Sequence, residues 1–210
     1  MSTSRNKQAP NDHANSNTQL TARSWQPRAN RRNLGVLLAS ASIMALLAIT
    51  WNGRPAFAVA LIATTAPIVA LCAIDIAEYR LPNAITYPLG LASAIAVVLV
   101  GILEADSDAI GRALLAGLTL TALYFTQVII SWGKGMGLGD VKLAFSLGTL
   151  LGYLSWGHVI VATIACYLVA ATCGIILILT KRATRKTHIP FGPFMAGGYF
   201  ATLLIPLFVR

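Results

Sequence analysis

The chain has 210 residues, 56% of them hydrophobic and only 11% charged, with a formal net charge of +9 and a mean hydropathy of +0.69. About 25% of the residues of an ordinary soluble domain are charged, so this composition excludes one and points to a polytopic α-helical membrane protein with repeated apolar runs near ~20 residues. Its basic balance would mean nucleic acid in a soluble protein, and must here first be set against membrane topology.

Residues 1–33 are rich in Asn, Ser, Thr, Gln and Arg and have no apolar face, which predicts a disordered tail. They are too long and polar for the charged region of a signal peptide. Arg23, Arg28, Arg31 and Arg32 form a juxtamembrane basic cluster of the kind that favours the cytoplasmic leaflet. Residues 34–210 are predicted to be the transmembrane domain, an all-α bundle of about seven spans: 34–51, 55–74, 84–103, 113–132, 141–156, 158–180 and 192–209. The fifth is short and contains glycine, so it is expected inside the bundle rather than against lipid.

With the N-terminus placed inside, the cytoplasmic segments are 1–33, 75–83, 133–142 and 181–191. They hold 13 of the 16 Lys and Arg residues, and only Arg54, Arg112 and Arg210 fall outside. That asymmetry is the positive-inside pattern. Topology accounts for the basic charge, and nucleic acid is not an expected partner.

The same assignment brings three unusual segments to one side of the membrane. They are Asp75-Ile76-Ala77-Glu78-Tyr79-Arg80-Leu81-Pro82-Asn83, the stretch Gly133-Lys134-Gly135-Met136-Gly137-Leu138-Gly139-Asp140-Val141-Lys142, and His188-Ile189-Pro190-Phe191-Gly192-Pro193-Phe194. Four glycines in seven residues of the second segment give backbone freedom, through positive φ or close approach of another backbone.

Of seven acidic residues, Asp12 lies in the tail and Glu104, Asp106 and Asp108 lie in an outer loop, where solvated charge is the ordinary reading. Asp75, Glu78 and Asp140 remain at the cytoplasmic face. Asp75 follows one apolar run and Asp140 precedes another, so both are expected at similar depth. A carboxylate at the rim of the hydrocarbon is costly without a partner or a task. Two together suit hydrolysis of an amide: one deprotonates a water while the other, protonated, polarises the scissile carbonyl. Close carboxylates share a proton and titrate as a pair.

Taken singly these residues have plainer readings. Asp140 reads as a helix N-cap, Asp75 as an interfacial charge and Glu78 as a solvated loop residue. Lys142 reads as a snorkelling anchor, and Pro190 and Pro193 as breaks before the last span. His13, His158 and His188 are scattered, so no Ser-His or Cys-His pair competes. Cys72, Cys166 and Cys173 lie within apolar runs without a CxxC. They read as buried thiols, and no metal or cofactor is expected.

Asp75 followed by Pro82-Asn83, then Gly137-Leu138-Gly139-Asp140-Val141-Lys142-Leu143, then Ile189-Pro190-Phe191-Gly192-Pro193-Phe194, resembles the type IV prepilin peptidases, membrane aspartic proteases of the GxGD type. The resemblance covers roughly 55–209. It implies that Asp75 and Asp140 are the catalytic pair and that Gly137 and Gly139 are motif glycines. Pro82, Asn83, Lys142, Pro190, Phe191, Gly192 and Pro193 would shape the site. It implies cleavage of the short basic leader of type IV prepilins or pseudopilins on the cytoplasmic side, in the inner membrane. Bifunctional members also carry an N-terminal four-cysteine zinc domain and methylate the new amino terminus. Here the first two spans are joined by Asn52-Gly53-Arg54 without cysteine, so a short, peptidase-only form is expected. The competing readings are a small transporter with a proton relay, which calls for acids at mid-span, and a non-catalytic subunit of a pilus or secretion assembly.

Overall fold

The computed structural model describes residues 31–131, 136–181 and 190–208. Residues 1–30 of the expected tail, Lys134, His188 and Ile189 therefore lie outside the described residues, and residues 31–33 are helical rather than part of a disordered tail. The chain divides into two units, 1–34 and 35–210, and of the first only the start of a helix is described. The described residues form seven helices and no strand. They are α1 (Arg31–Thr50), α2 (Pro55–Glu78), α3 (Asn83–Leu103), α4 (Ser107–Ile130), α5 (Leu138–Leu154), α6 (Trp156–Leu179) and α7 (Gly192–Phe208). The chain is a polytopic membrane helical bundle. Four helices, α2, α3, α4 and α6, are individually long and apolar enough to cross a membrane. At ~1.5 Å rise per residue they match a hydrocarbon core of about 30 Å. Of the others, α5 and α7 are shorter and pack within the bundle.

The order of packing follows from where the small residues lie. The α5 helix is the hub: 12 of its 17 residues are buried, and it packs against α3, α4, α6 and α7. By contrast α6 buries only Val159, Ala162 and Cys166, as a helix turned to lipid should. A Cβ built on Gly117 of α4 would come within 2.2 Å of Thr149 Oγ1, and one on Gly152 of α5 within 2.4 Å of Ala116 Cβ. These glycines let two backbones meet, and dispersion between them replaces the hydrophobic drive that lipid cannot supply. The expectation of an internal fifth span agrees with this packing.

Helix ends differ from the predicted spans for local reasons. The α2 helix runs one turn beyond 74, so Asp75 and Glu78 are helical. It ends at Tyr79, whose φ of 52° is left-handed and whose N–H donates to the Asp75 carbonyl. The α4 helix starts at Ser107 rather than 113, because Asp106 accepts the Ala109 N–H at 2.9 Å and caps a polar first turn.

The outer acids are also corrected. Glu104 pairs with Arg54 and accepts the Tyr153 hydroxyl at 2.9 Å, which ties α2, α3 and α5 together. Arg112 donates to the carbonyls of Gly152 and Tyr153 at 2.9 and 2.8 Å, taking up acceptors that the end of α5 leaves free. Of the outer acids only Asp108 is plainly exposed.

Candidate active site

At the other end of α5 the chain builds a cavity of about 850 Å3. One wall is the last turn of α2 and the connection to α3, from Asp75 to Asn83. A second is the start of α5, from Met136 to Asp140, and Pro190 and Phe191 complete it. The described parts of the three segments singled out from the sequence thus converge on one space.

Asp75 and Asp140 both line this cavity, and both residues are mostly buried, 6% and 7% exposed. Each carboxylate has one backbone partner. Asp75 Oδ2 accepts the Gly192 N–H at 3.0 Å. Asp140 Oδ2 accepts the Gly137 N–H at 3.1 Å. Gly137 is the N-cap of α5, which makes Asp140 the third residue of the helix rather than its cap. Its carboxylate folds back onto the cap, as an acid at this position does in a capping box.

The glycines act through space more than through φ. Gly137 has ordinary extended angles, φ −86° and ψ 154°. A Cβ on Gly139, however, would lie 2.6 Å from Leu81 Cβ, so glycine lets the α2–α3 connection lie directly on the first turn of α5. The expected positive φ is absent at Gly137, and Gly133 and Gly135 lie outside the described residues.

Lys142 is a strap rather than an anchor to lipid. Its ammonium donates to Asn83 Oδ1 at 2.6 Å and stands 4.4 Å from the centre of the Tyr87 ring, joining α5 to the start of α3. Pro82 caps α3, its carbonyl accepting the Ile85 and Thr86 N–H groups at 3.1 Å. Glu78 and Arg80 are exposed on the cavity wall. Pro193 occupies the first turn of α7, where proline costs no hydrogen bond.

Sequence reasoning missed the aromatic residues beneath the third wall. Phe191 packs against Tyr124 of α4 and Tyr167 of α6, with ring centres 6.1 and 5.7 Å apart, and Tyr167 donates to Gln127 Oε1 at 2.7 Å. Aromatic residues inside apolar runs give no signal that separates them from core. Among the described residues no three His, Cys, Asp or Glu side chains gather as a metal-binding group.

Comparison with known proteins bears on the same stretch. A model of the type IV leader peptidase family matches residues 61–179. Among similar curated proteins is a prepilin leader peptidase/N-methyltransferase of Aeromonas hydrophila, 36% identical over 137 residues, which are 65% of this chain and 46% of that protein. Another, so named, of Pseudomonas putida is 30% identical over 159 residues, 75% of this chain and 54% of the relative. The chain thus spans about half the length of the curated relatives it matches. No solved structure gives a significant match.

Proposed function

The chain belongs to the type IV leader peptidase family, and we propose that it is a membrane aspartic endopeptidase that removes the basic leader of a prepilin or pseudopilin, with Asp75 and Asp140 as its catalytic pair. The observation that carries this reading is that two buried carboxylates from separate helices open into one cavity. A substrate peptide bond lies across it. One carboxylate takes a proton from a water as the water oxygen attacks the carbonyl carbon, and the other gives its proton to the carbonyl oxygen. Return of the protons and transfer of one to the nitrogen breaks the C–N bond. Gly139 and the 79–83 connection give an extended backbone a place to lie, and the Lys142–Asn83 strap holds two of the walls in register.

In this reading the cavity faces the cytoplasm across the inner membrane, on the side of the basic loops. The activity is proteolytic without methyl transfer, since the three cysteines are placed within α2 and α6 and the α1–α2 connection carries none.

The test is cleavage of a co-expressed prepilin, followed by mass. Wild type is expected to release an unmethylated mature pilin. Asp75→Asn and Asp140→Asn are each expected to lose about 10²–10⁴-fold in rate, the usual worth of a positioned acid or base. Asparagine still accepts the Gly137 or Gly192 N–H, so normal processing by either variant would reject the pair. Absence of processing in wild type and both variants alike would instead favour a non-catalytic assembly subunit, in which Asp140 only completes the capping box with Gly137.

A further inference from the structure

We propose that the Phe191–Gly192 turn at the start of α7 is a positioning device for Asp75, a role that rests on Asp75 being half of the catalytic pair. Phe191 is the N-cap of α7, its carbonyl accepting the Phe194 and Met195 N–H groups at 3.0 and 3.2 Å. Gly192 is therefore the first helical residue, and its N–H has no acceptor within the helix. That free donor is given to Asp75 Oδ2 at 3.0 Å. The positive end of the α7 dipole favours the carboxylate there.

The two aspartates are held in different ways. Asp140 is fixed by an amide three residues away on its own helix, so it travels with α5. Asp75 is fixed by an amide 117 residues further along the chain, so its position depends on where α7 begins. The aromatic clasp sets that start. Phe191 packs against both the Tyr124 and Tyr167 rings, which stack on each other at 6.0 Å, and on Phe194 at 6.3 Å. Glycine at 192 lets the carboxylate sit this close, since a Cβ would stand 2.9 Å from Asp75 Oδ2 and the carboxylate would have to shift. Any side chain at 192 must push the carboxylate away from its place on the cavity wall. Gly192 itself is not among the lining residues, so it acts through Asp75 and not on substrate.

The experiment uses the full chain purified in detergent with a prepilin as substrate. Gly192→Ala is expected to lower kcat at least tenfold, with KM within about twofold of wild type and the thermal midpoint unchanged. Tyr167→Leu is expected to lower kcat in the same way but less, while Tyr167→Phe, which keeps the ring, retains it. A folded Gly192→Ala with wild-type kcat overturns the proposal, as does a fall confined to KM. Hydrogen–deuterium exchange decides it if Gly192→Ala does not fold. In Asp75→Ala the peptide holding Gly192 should exchange faster than in wild type, and in Asp140→Ala it should not. Equal exchange in Asp75→Ala and wild type overturns the proposal. This exchange arm does not require peptidase activity, so a wild-type chain that cleaves no prepilin would reject the proposed function while still deciding the role of Gly192.

Discussion

The Asp140 carboxylate accepts the Gly137 N–H at 3.1 Å, so alanine at this position removes a capping-box bond along with an acid. Asparagine removes only the acid. The two variants are expected to be equally inactive but unequally stable, Asp140→Ala lying below Asp140→Asn by about 1 kcal/mol, the usual worth of a capping bond. Thermal unfolding in detergent checks this, and equal midpoints would mean that the bond contributes nothing. Both aspartates were legible in the sequence for one physical reason: a carboxylate beside an apolar run is costly, so it stands out. Their partners were not legible. The Gly192 amide that holds Asp75 belongs to a backbone 117 residues away, and no local pattern marks a donor that every residue but proline has. Tyr124 and Tyr167 were hidden for a related reason, since an aromatic ring within an apolar run looks alike whether it meets lipid, core or Phe191.

At the scale of the helices, hydropathy located the seven elements because burial in lipid and burial in protein select the same residues. It misplaced their ends where polar side chains complete a helix, as Asp106 does at the start of α4. Neighbour relations were readable only in part. The short fifth span was correctly read as internal, yet nothing in the order of residues says that α4 lies so closely on it. That closeness makes a sharp prediction. Gly117 and Gly111 are both in α4, but a Cβ on Gly117 would sit 2.2 Å from Thr149 Oγ1 and 3.0 Å from the Phe145 carbonyl oxygen, whereas a Cβ on Gly111 meets nothing within 4 Å. Gly117→Ala is expected to destabilise by about 1–3 kcal/mol through overpacking. Gly111→Ala should be neutral or stabilising by up to about 1 kcal/mol, since glycine is a poor helix former. Thermal midpoints in detergent separate the two, and equal effects would reject the close α4–α5 packing.

Across the whole molecule, the two ends of α5 carry opposite kinds of chemistry. At its start, acids and an exposed arginine border an open cavity. At its end, Arg54, Glu104, Tyr153 and Arg112 join the helices to one another. The Arg112 bonds fix this second end by holding the last carbonyls of the hub helix. Charge then orients the molecule. The loop assignment read from the sequence puts 13 of 16 basic residues in the segments that include 75–83 and 133–142, and the proposed cytoplasmic orientation of the cavity rests on the positive-inside rule applied to that assignment. In a background with Cys72, Cys166 and Cys173 replaced, a cysteine at the exposed Ser107 should react with an impermeant maleimide in intact cells. A cysteine at the exposed Glu78 should react only after permeabilisation. The reverse pattern would invert the topology and remove the cavity from its proposed substrate, whatever the geometry of the two aspartates.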